Sequence, residues 1–141
     1  MMRMCTNIEE SSVVLDKTLA IKIVTVKSVE YEVLSKLLDR PRANLPHVHA
    51  IYGTGKGAIV IMDRLRRLSA RDAHCLYRMN RVPLKGRLKR DLDSAESSLS
   101  RMGYRHQDVH GGNIMRNRAG DYILIDFDVV RRLPTKKRKK Q

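Results

Sequence analysis

Apolar positions change period several times along the chain, and each change marks an element. Leu19 to Val26, LAIKIVTV, is a β-branched run with the two-residue period of a strand. The apolar triplet Val13 to Leu15, followed by Asp16 and Lys17, predicts a short strand turning into it, so a hairpin is expected. Ser28 suits an N-cap, and beyond it Val29, Val33, Leu34, Leu37 and Leu38 recur at helical spacing until Pro41 and Pro46 end the pattern. Two further apolar runs, His49 to Tyr52 and Ala58 to Met62, flank Gly53-Thr54-Gly55-Lys56-Gly57, whose glycines fit a hairpin turn. That stretch lacks the G-K-[ST] ending of a phosphate loop and has no helical pattern after it, so the turn reading prevails. The predicted order to this point is β-β-α-β-β.

The second half is less regular. Between Arg64 and Arg90 the period is interrupted by Pro83 and Gly86, and the reading is a basic linker holding one helix near Ala70 to Met79. Leu88, Leu92, Ala95, Leu99 and Met102 restore helical spacing, with Gly103 in the C-cap position. Tyr104 to Asn113 is polar and glycine-bearing and reads as a loop. Asn117 to Asp121 then reads as a turn before the apolar strand Tyr122 to Ile125. After Pro134 the chain is too charged to pack.

A length of 141 residues holds one domain with a modest core, and 42% hydrophobic with 31% charged residues suits a globular one. No apolar run approaches the ~18 residues of a membrane span, so no membrane partner is expected. The N-terminal residues have no signal-peptide pattern, and Cys5 and Cys75 make neither a disulfide framework nor a metal-ligand spacing. The expected location is the cytoplasm, or the nucleus if Lys136 to Lys140 is a targeting signal rather than a solubilising end.

Charge sharpens the picture because it is uneven. Of the net +14, Arg64 to Arg90 carries +9 and Arg131 to Gln141 carries +7, which leaves −2 for the remainder. These segments, 64–90 and 131–141, could steer an acidic protein or a nucleic acid. A basic nucleic-acid-binding protein is therefore one function class, although Tyr77 is the only aromatic residue between Arg64 and Arg90 and offers no stacking platform.

The chemistry-bearing stretch is His106-Gln107-Asp108-Val109-His110-Gly111-Gly112-Asn113, followed by Leu124-Ile125-Asp126-Phe127-Asp128. Phosphoryl transfer needs a carboxylate to orient a substrate hydroxyl and oxygen ligands for magnesium, and Asp108, Asn113 and Asp126 are such a set. A zinc site built on the histidines would leave Asn113 and the strand before Asp126 unexplained. His47 and His49 read as ordinary loop or turn residues.

This stretch resembles the catalytic loop and metal-binding D-F-G of the protein-kinase-like superfamily, with Asn113 five and Asp126 eighteen residues beyond Asp108. The H-x-D-x-H-x-x-N form, with His110 where most protein kinases carry lysine, is similar to the aminoglycoside phosphotransferase and lipopolysaccharide kinase branches and other atypical ones. Ala20-Ile21-Lys22 resembles the V-A-I-K strand. The resemblance implies Ala20 under the adenine, Lys22 on the α- and β-phosphates, and Glu30 as the helix partner of that lysine, with Glu32 the competing assignment. Met62, Asp63 and Leu65 look like the gatekeeper and hinge. Asn113 and Asp126 would hold Mg²⁺, Asp108 would orient and deprotonate the acceptor, and His110 would lie beside the transferring phosphate.

The implied fold is α+β, a truncated two-lobed protein-kinase-like domain over residues 1–133. Its N-lobe of small antiparallel sheet and one helix spans about 13–62, its hinge 62–66 and its short, mainly helical C-lobe 67–133, with 134–141 a basic tail. No G-x-G-x-x-G precedes Lys22, and Asp128 replaces the glycine of D-F-G, where it reads as a solvated residue more readily than as a further ligand. Only thirteen residues follow Asp128, with no activation segment among them, so the expectation is a minimal kinase and not a complete eukaryotic-type one. The implied activity is ATP- and Mg²⁺-dependent transfer to a hydroxyl, of a protein serine or threonine first and of a small molecule second. A pseudokinase or adaptor that binds nucleotide without turnover is the alternative within this fold.

Overall fold

Alternation along Leu19–Thr25 (β2) turns Ala20 and Val24 into the interior and leaves Ile23 nearly half exposed at 46%, so the strand lies with one face on the core. In the computed structural model, which describes residues 12–14, 18–77, 86–107, 109 and 111–134, β2 is the second strand of a four-stranded antiparallel sheet. The sheet order is Ser12–Val14 (β1), β2, Gly57–Asp63 (β4) and Val48–Thr54 (β3). The register pairs Ala20 with Met62, Lys22 with Val60 and Val24 with Ala58, which brings all six residues to one face. Both expected hairpin strands pairs are present. Gly55 takes φ +76° in the β3–β4 turn, a backbone region that glycine enters without steric cost.

Helix Val29–Asp39 (α1) starts where Ser28 caps it, the Ser28 Oγ accepting the Tyr31 N–H at 3.0 Å. Its Val33, Leu34 and Leu37 are fully buried beneath the sheet. The following loop crosses to the second half. Leu124 N–H donates to the Asn44 carbonyl at 3.1 Å, Asn44 Nδ2 donates to the Tyr122 carbonyl at 2.9 Å, and Ser98 Oγ donates to the Ala43 carbonyl at 2.9 Å.

The second half contains Arg66–Arg67 (β5), Ala70–Tyr77 (α2), Gly86–Met102 (α3), Tyr104–His106 (β6), Ile114–Arg116 (β7), Tyr122–Leu124 (β8) and Val130–Arg132 (β9). Single 3-10 turns at Gly111–Asn113 and Phe127–Val129 join them. Strands β5-β7-β8 form one small antiparallel sheet and β6-β9 another. Helix α3 ends at Gly103, φ +98°, as its spacing predicts. Its buried stripe Leu92, Ala95, Leu99 and Met102 belongs to one continuous core with Val33, Leu37 and Val60 from the first half and Tyr104, Ile114, Leu124 and Phe127 from the second.

Three expectations are corrected. The basic linker holds, besides the expected helix (α2), a short strand in which Arg66 and Arg67 pair with Arg116 and Met115. The loop expected from Tyr104 onward begins as a strand, Tyr104 opposite Arg132 and His106 opposite Val130. Among the described residues the C-terminal half is mixed, with five short strands beside two helices, rather than mainly helical. Strands of two or three residues are too short to show a period, so only their partners define them. The turn after β1, the stretch 78–85 and the basic tail lie outside the described residues.

Glu32 ties the two halves together. Its carboxylate accepts from Arg132 at 2.5 and 3.0 Å and from the Tyr104 hydroxyl at 2.6 Å, and these contacts hold it down at about 2 from the usual 4.5. A depressed carboxylate contributes stability above its unfolded value that is lost as pH falls through its folded one. Glu32→Gln is therefore expected to lower the melting temperature at pH 7 and to remove part of the stability loss of the wild type between pH 4.5 and 2. Thermal melts across that window check it; parallel profiles for the two proteins would contradict the role.

Candidate active site

Lys22 stands at the middle of β2, on the face that alternation turns inward, and Glu30 stands in the first turn of α1. Only a three-residue turn separates strand from helix. It is closed by Ser28 N–H to the Thr25 carbonyl at 3.0 Å and Val26 N–H to the Lys56 carbonyl at 2.8 Å. The result is a Lys22 Nζ to Glu30 Oε2 distance of 2.5 Å, with the two side chains 13% and 7% exposed. Of the two candidates for the lysine partner, the structure thus pairs Glu30, while Glu32 turns to Arg132.

Asp126 is held from both sides. Ahead of it, Ile125 N–H donates to the Asn113 carbonyl at 2.9 Å and His106 Nε2 donates to the Ile125 carbonyl at 2.9 Å. Behind it, Phe127 is 1% exposed and meets the His106 ring edge-on at 6.3 Å between centroids. Between these anchors Asp126 takes φ 65°, ψ 77°, a left-handed conformation that costs a residue with a Cβ about 1 kcal/mol. Its Oδ1 is buried and has no hydrogen-bond partner among the described residues. Carboxylate oxygens of Glu30, Asp126 and Asp128 lie within 4.8 Å of one another.

Three carboxylates against one ammonium make a site short of positive charge. Burial pushes the Glu30 carboxyl up to about 7; Lys22 opposes this and the neighbouring Asp128 adds to it. Asp126 is raised by burial and then by Asp128, against Lys22. An orphaned buried oxygen among acidic groups fits a hard divalent cation such as Mg²⁺, whose oxygen ligands would be drawn from Asp126, Asp128 and the buried Asn113. Asp128 is exposed, as a solvated residue is, and its carboxylate also lies close to those of Glu30 and Asp126.

The remaining expected residues divide. Ala20 and Met62 are opposite each other, both 8% exposed, at the end of the sheet away from the turn. Asp63 ends β4, its N–H donating to the His47 carbonyl at 3.0 Å, and Arg64 N–H donates to the Thr18 carbonyl at 2.8 Å. Leu65 follows, half-buried, between β4 and β5. Asp108 and His110 lie outside the described residues.

The class of protein this arrangement defines is kinase-like. The ABC1 atypical kinase-like domain matches residues 30–141, and the chain belongs to that family; Ala20 and Lys22 precede the matched stretch. A 2.2 Å crystal structure of WbdD superposes with a TM-score of 0.55 at 17% identity over 92% of this chain and 32% of that one. A structure described as the bifunctional kinase-methyltransferase WbdD gives 0.53 at 20% identity over 89% and 31%. WbdD co-crystallised with the kinase inhibitor LY294002 gives 0.50 at 19% over 98% and 34%. The chain spans about a third of the length of these structures, and at such identity the likeness is one of fold. No curated protein has a significantly similar sequence. No helix among the described residues is long and apolar enough to cross a membrane.

Asp128→Asn relieves the crowding and isolates its effect. It is expected to raise the melting temperature of the metal-free protein and to reduce the further rise that Mg²⁺ produces in the wild type. Melts with Mg²⁺ and with chelator check both halves; an unchanged Mg²⁺ response would remove Asp128 from the cation site.

Proposed function

We propose that the chain is an ATP- and Mg²⁺-dependent phosphotransferase acting on a hydroxyl, with a protein serine or threonine as the first choice of acceptor and a small molecule as the second. The observation that carries the reading is the 2.5 Å Lys22–Glu30 pair beside Asp126, whose buried Oδ1 has no protein partner among the described residues. Family membership supports the same class. Residues 1–133 would act as one minimal domain.

In this reading Glu30 fixes the Lys22 ammonium where it meets the α- and β-phosphates of ATP, and Ala20 and Met62 line the adenine pocket with the hinge backbone at Asp63 and Leu65. Asn113 and Asp126 hold Mg²⁺ with Asp128 adjacent, and the ion, when bound, neutralises the charge on the transferring phosphate. Asp108 orients the acceptor hydroxyl and takes its proton as the bond to phosphorus forms. His110, beside it, supplies a hydrogen bond to the phosphate oxygens. Location in the cytoplasm follows as part of the proposal.

Three arginines, only two of them from the basic segments, have partners within the chain, which weakens the nucleic-acid reading only slightly. Arg87 pairs with Asp91 and Asp121, Arg116 lies over the Tyr122 ring and donates to the Gly120 carbonyl, and Arg132 pairs with Glu32.

Labelled phosphate transfer from γ-labelled ATP, with and without a general protein acceptor, tests the proposal. Asp126→Ala is expected to abolish Mg²⁺-dependent turnover with the fold retained. Asp108→Asn is expected to keep ATP affinity and lose turnover by roughly three orders of magnitude or more, since phosphate and metal contacts survive while the hydroxyl is no longer oriented. Lys22→Met should weaken binding and turnover together. Transfer absent from both wild type and Asp108→Asn would identify an adaptor, and equal signals of any size would remove Asp108 from the catalytic role.

A further inference from the structure

At the end of β4, His47, His49 and Asp63 converge. His49 Nε2 lies 2.6 Å from Asp63 Oδ1 and His47 Nδ1 lies 3.8 Å from Asp63 Oδ2. The two imidazole rings are 4.3 Å apart at a tilt of 40°, and one donor atom from each of the three residues falls within 4.8 Å of the others. None of the three has a role for its side chain in phosphoryl transfer as proposed above, where Asp63 contributes only through the hinge backbone.

The convergence has a backbone cause. His47 immediately precedes β3 and His49 is its second residue. The register slips by one residue between Val48 and Ala50, which re-aims His49 toward the end of β4. The Asp63 N–H to His47 carbonyl bond, 3.0 Å, pins the third residue alongside.

We propose that His47, His49 and Asp63 bind a divalent transition-metal ion of the zinc class. Tetrahedral Zn²⁺ with nitrogen and oxygen donors at about 2.0–2.1 Å sets its donor atoms roughly 3.3 Å apart, and the separations seen, 2.6 and 3.8 Å, fall on either side of that. Two imidazoles and a carboxylate are a three-ligand set. The side chains are 49%, 38% and 41% exposed, so a fourth position faces solvent. Arg64, Arg66 and Arg118 line a cleft of about 510 Å³ that Asp63 and Thr18 share. Their charge opposes any cation held by electrostatics alone, which favours an ion that imidazole binds strongly over Mg²⁺ or Ca²⁺. A bound ion would fasten the start of β3 to the hinge.

Co²⁺ titrated into the full chain with Mg²⁺ in excess, read by visible ligand-field absorption, tests this. The wild type is expected to develop bands that saturate near one equivalent and disappear when Zn²⁺ is added. His49→Ala and His47→Gln are each expected to weaken Co²⁺ binding more than about tenfold, with circular dichroism confirming the fold. On the wild type alone, Zn²⁺ is expected to shift the imidazole NMR signals of His47 and His49 and leave that of His106 in place. Absent bands, bands retained by both histidine variants, or unmoved His47 and His49 signals would overturn the proposal.

Discussion

The buried ion pair between Lys22 and Glu30 is the constraint on which the rest depends. Two ionisable groups, 13% and 7% exposed, have been taken out of water, and their 2.5 Å approach offsets part of the desolvation cost, which still pushes the Glu30 carboxyl up. Removing either partner would leave a buried charge uncompensated. The pair therefore requires a specific angle between β2 and α1, and the short Thr25–Ser28 turn with its serine cap enforces that angle. Eight residues of separation are enough because the helix begins immediately and Glu30 falls in its first turn, where the helix dipole also favours an acid.

The same pair sets the electrostatics of its neighbours. Lys22 is the cation facing Glu30 and Asp126, and Asp128 tilts the balance further toward negative charge. A left-handed aspartate whose buried oxygen has no partner among the described residues is held against its own preference by packing of Phe127 and the carbonyl contacts at Ile125. Strain of this sort survives where the surroundings over-determine it, and here the surroundings are a single core shared by both halves of the chain.

That shared core explains how the two halves keep their register. Asn44 and Ala43 receive or donate bonds from β8 and α3, Glu32 reaches Tyr104 and Arg132, and Asp91 accepts the Tyr122 N–H at 3.0 Å. Acids scattered through a strongly basic chain thus serve as internal partners for some of its arginines and for backbone N–H groups, while the net charge of +14 is left unchanged by such pairing.

What the sequence by itself determined were the elements with enough residues to show a period. LAIKIVTV could bury Ala20, Lys22 and Val24 together only as a strand, Ser28 with its apolar followers only as a capped helix, and Leu92 to Met102 only as a helix ending at Gly103. The D-x-H-x-x-N and D-F-D spacing carried the family. Tertiary structure alone decided the two- and three-residue strands, because Arg66–Arg67 or Val130–Arg132 have no period and become strands through a partner far along the chain. It alone shows the Lys22–Glu30 pairing, which the resemblance implied with Glu32 as the competing assignment. Both acids sit in the first turn of one helix, and nothing local distinguishes them, but the 3.6-residue repeat points one at β2 and the other at β9. The meeting of His47, His49 and Asp63 was illegible for the same reason: it depends on a one-residue slip in a strand register, and register is a property of two strands, not of one sequence.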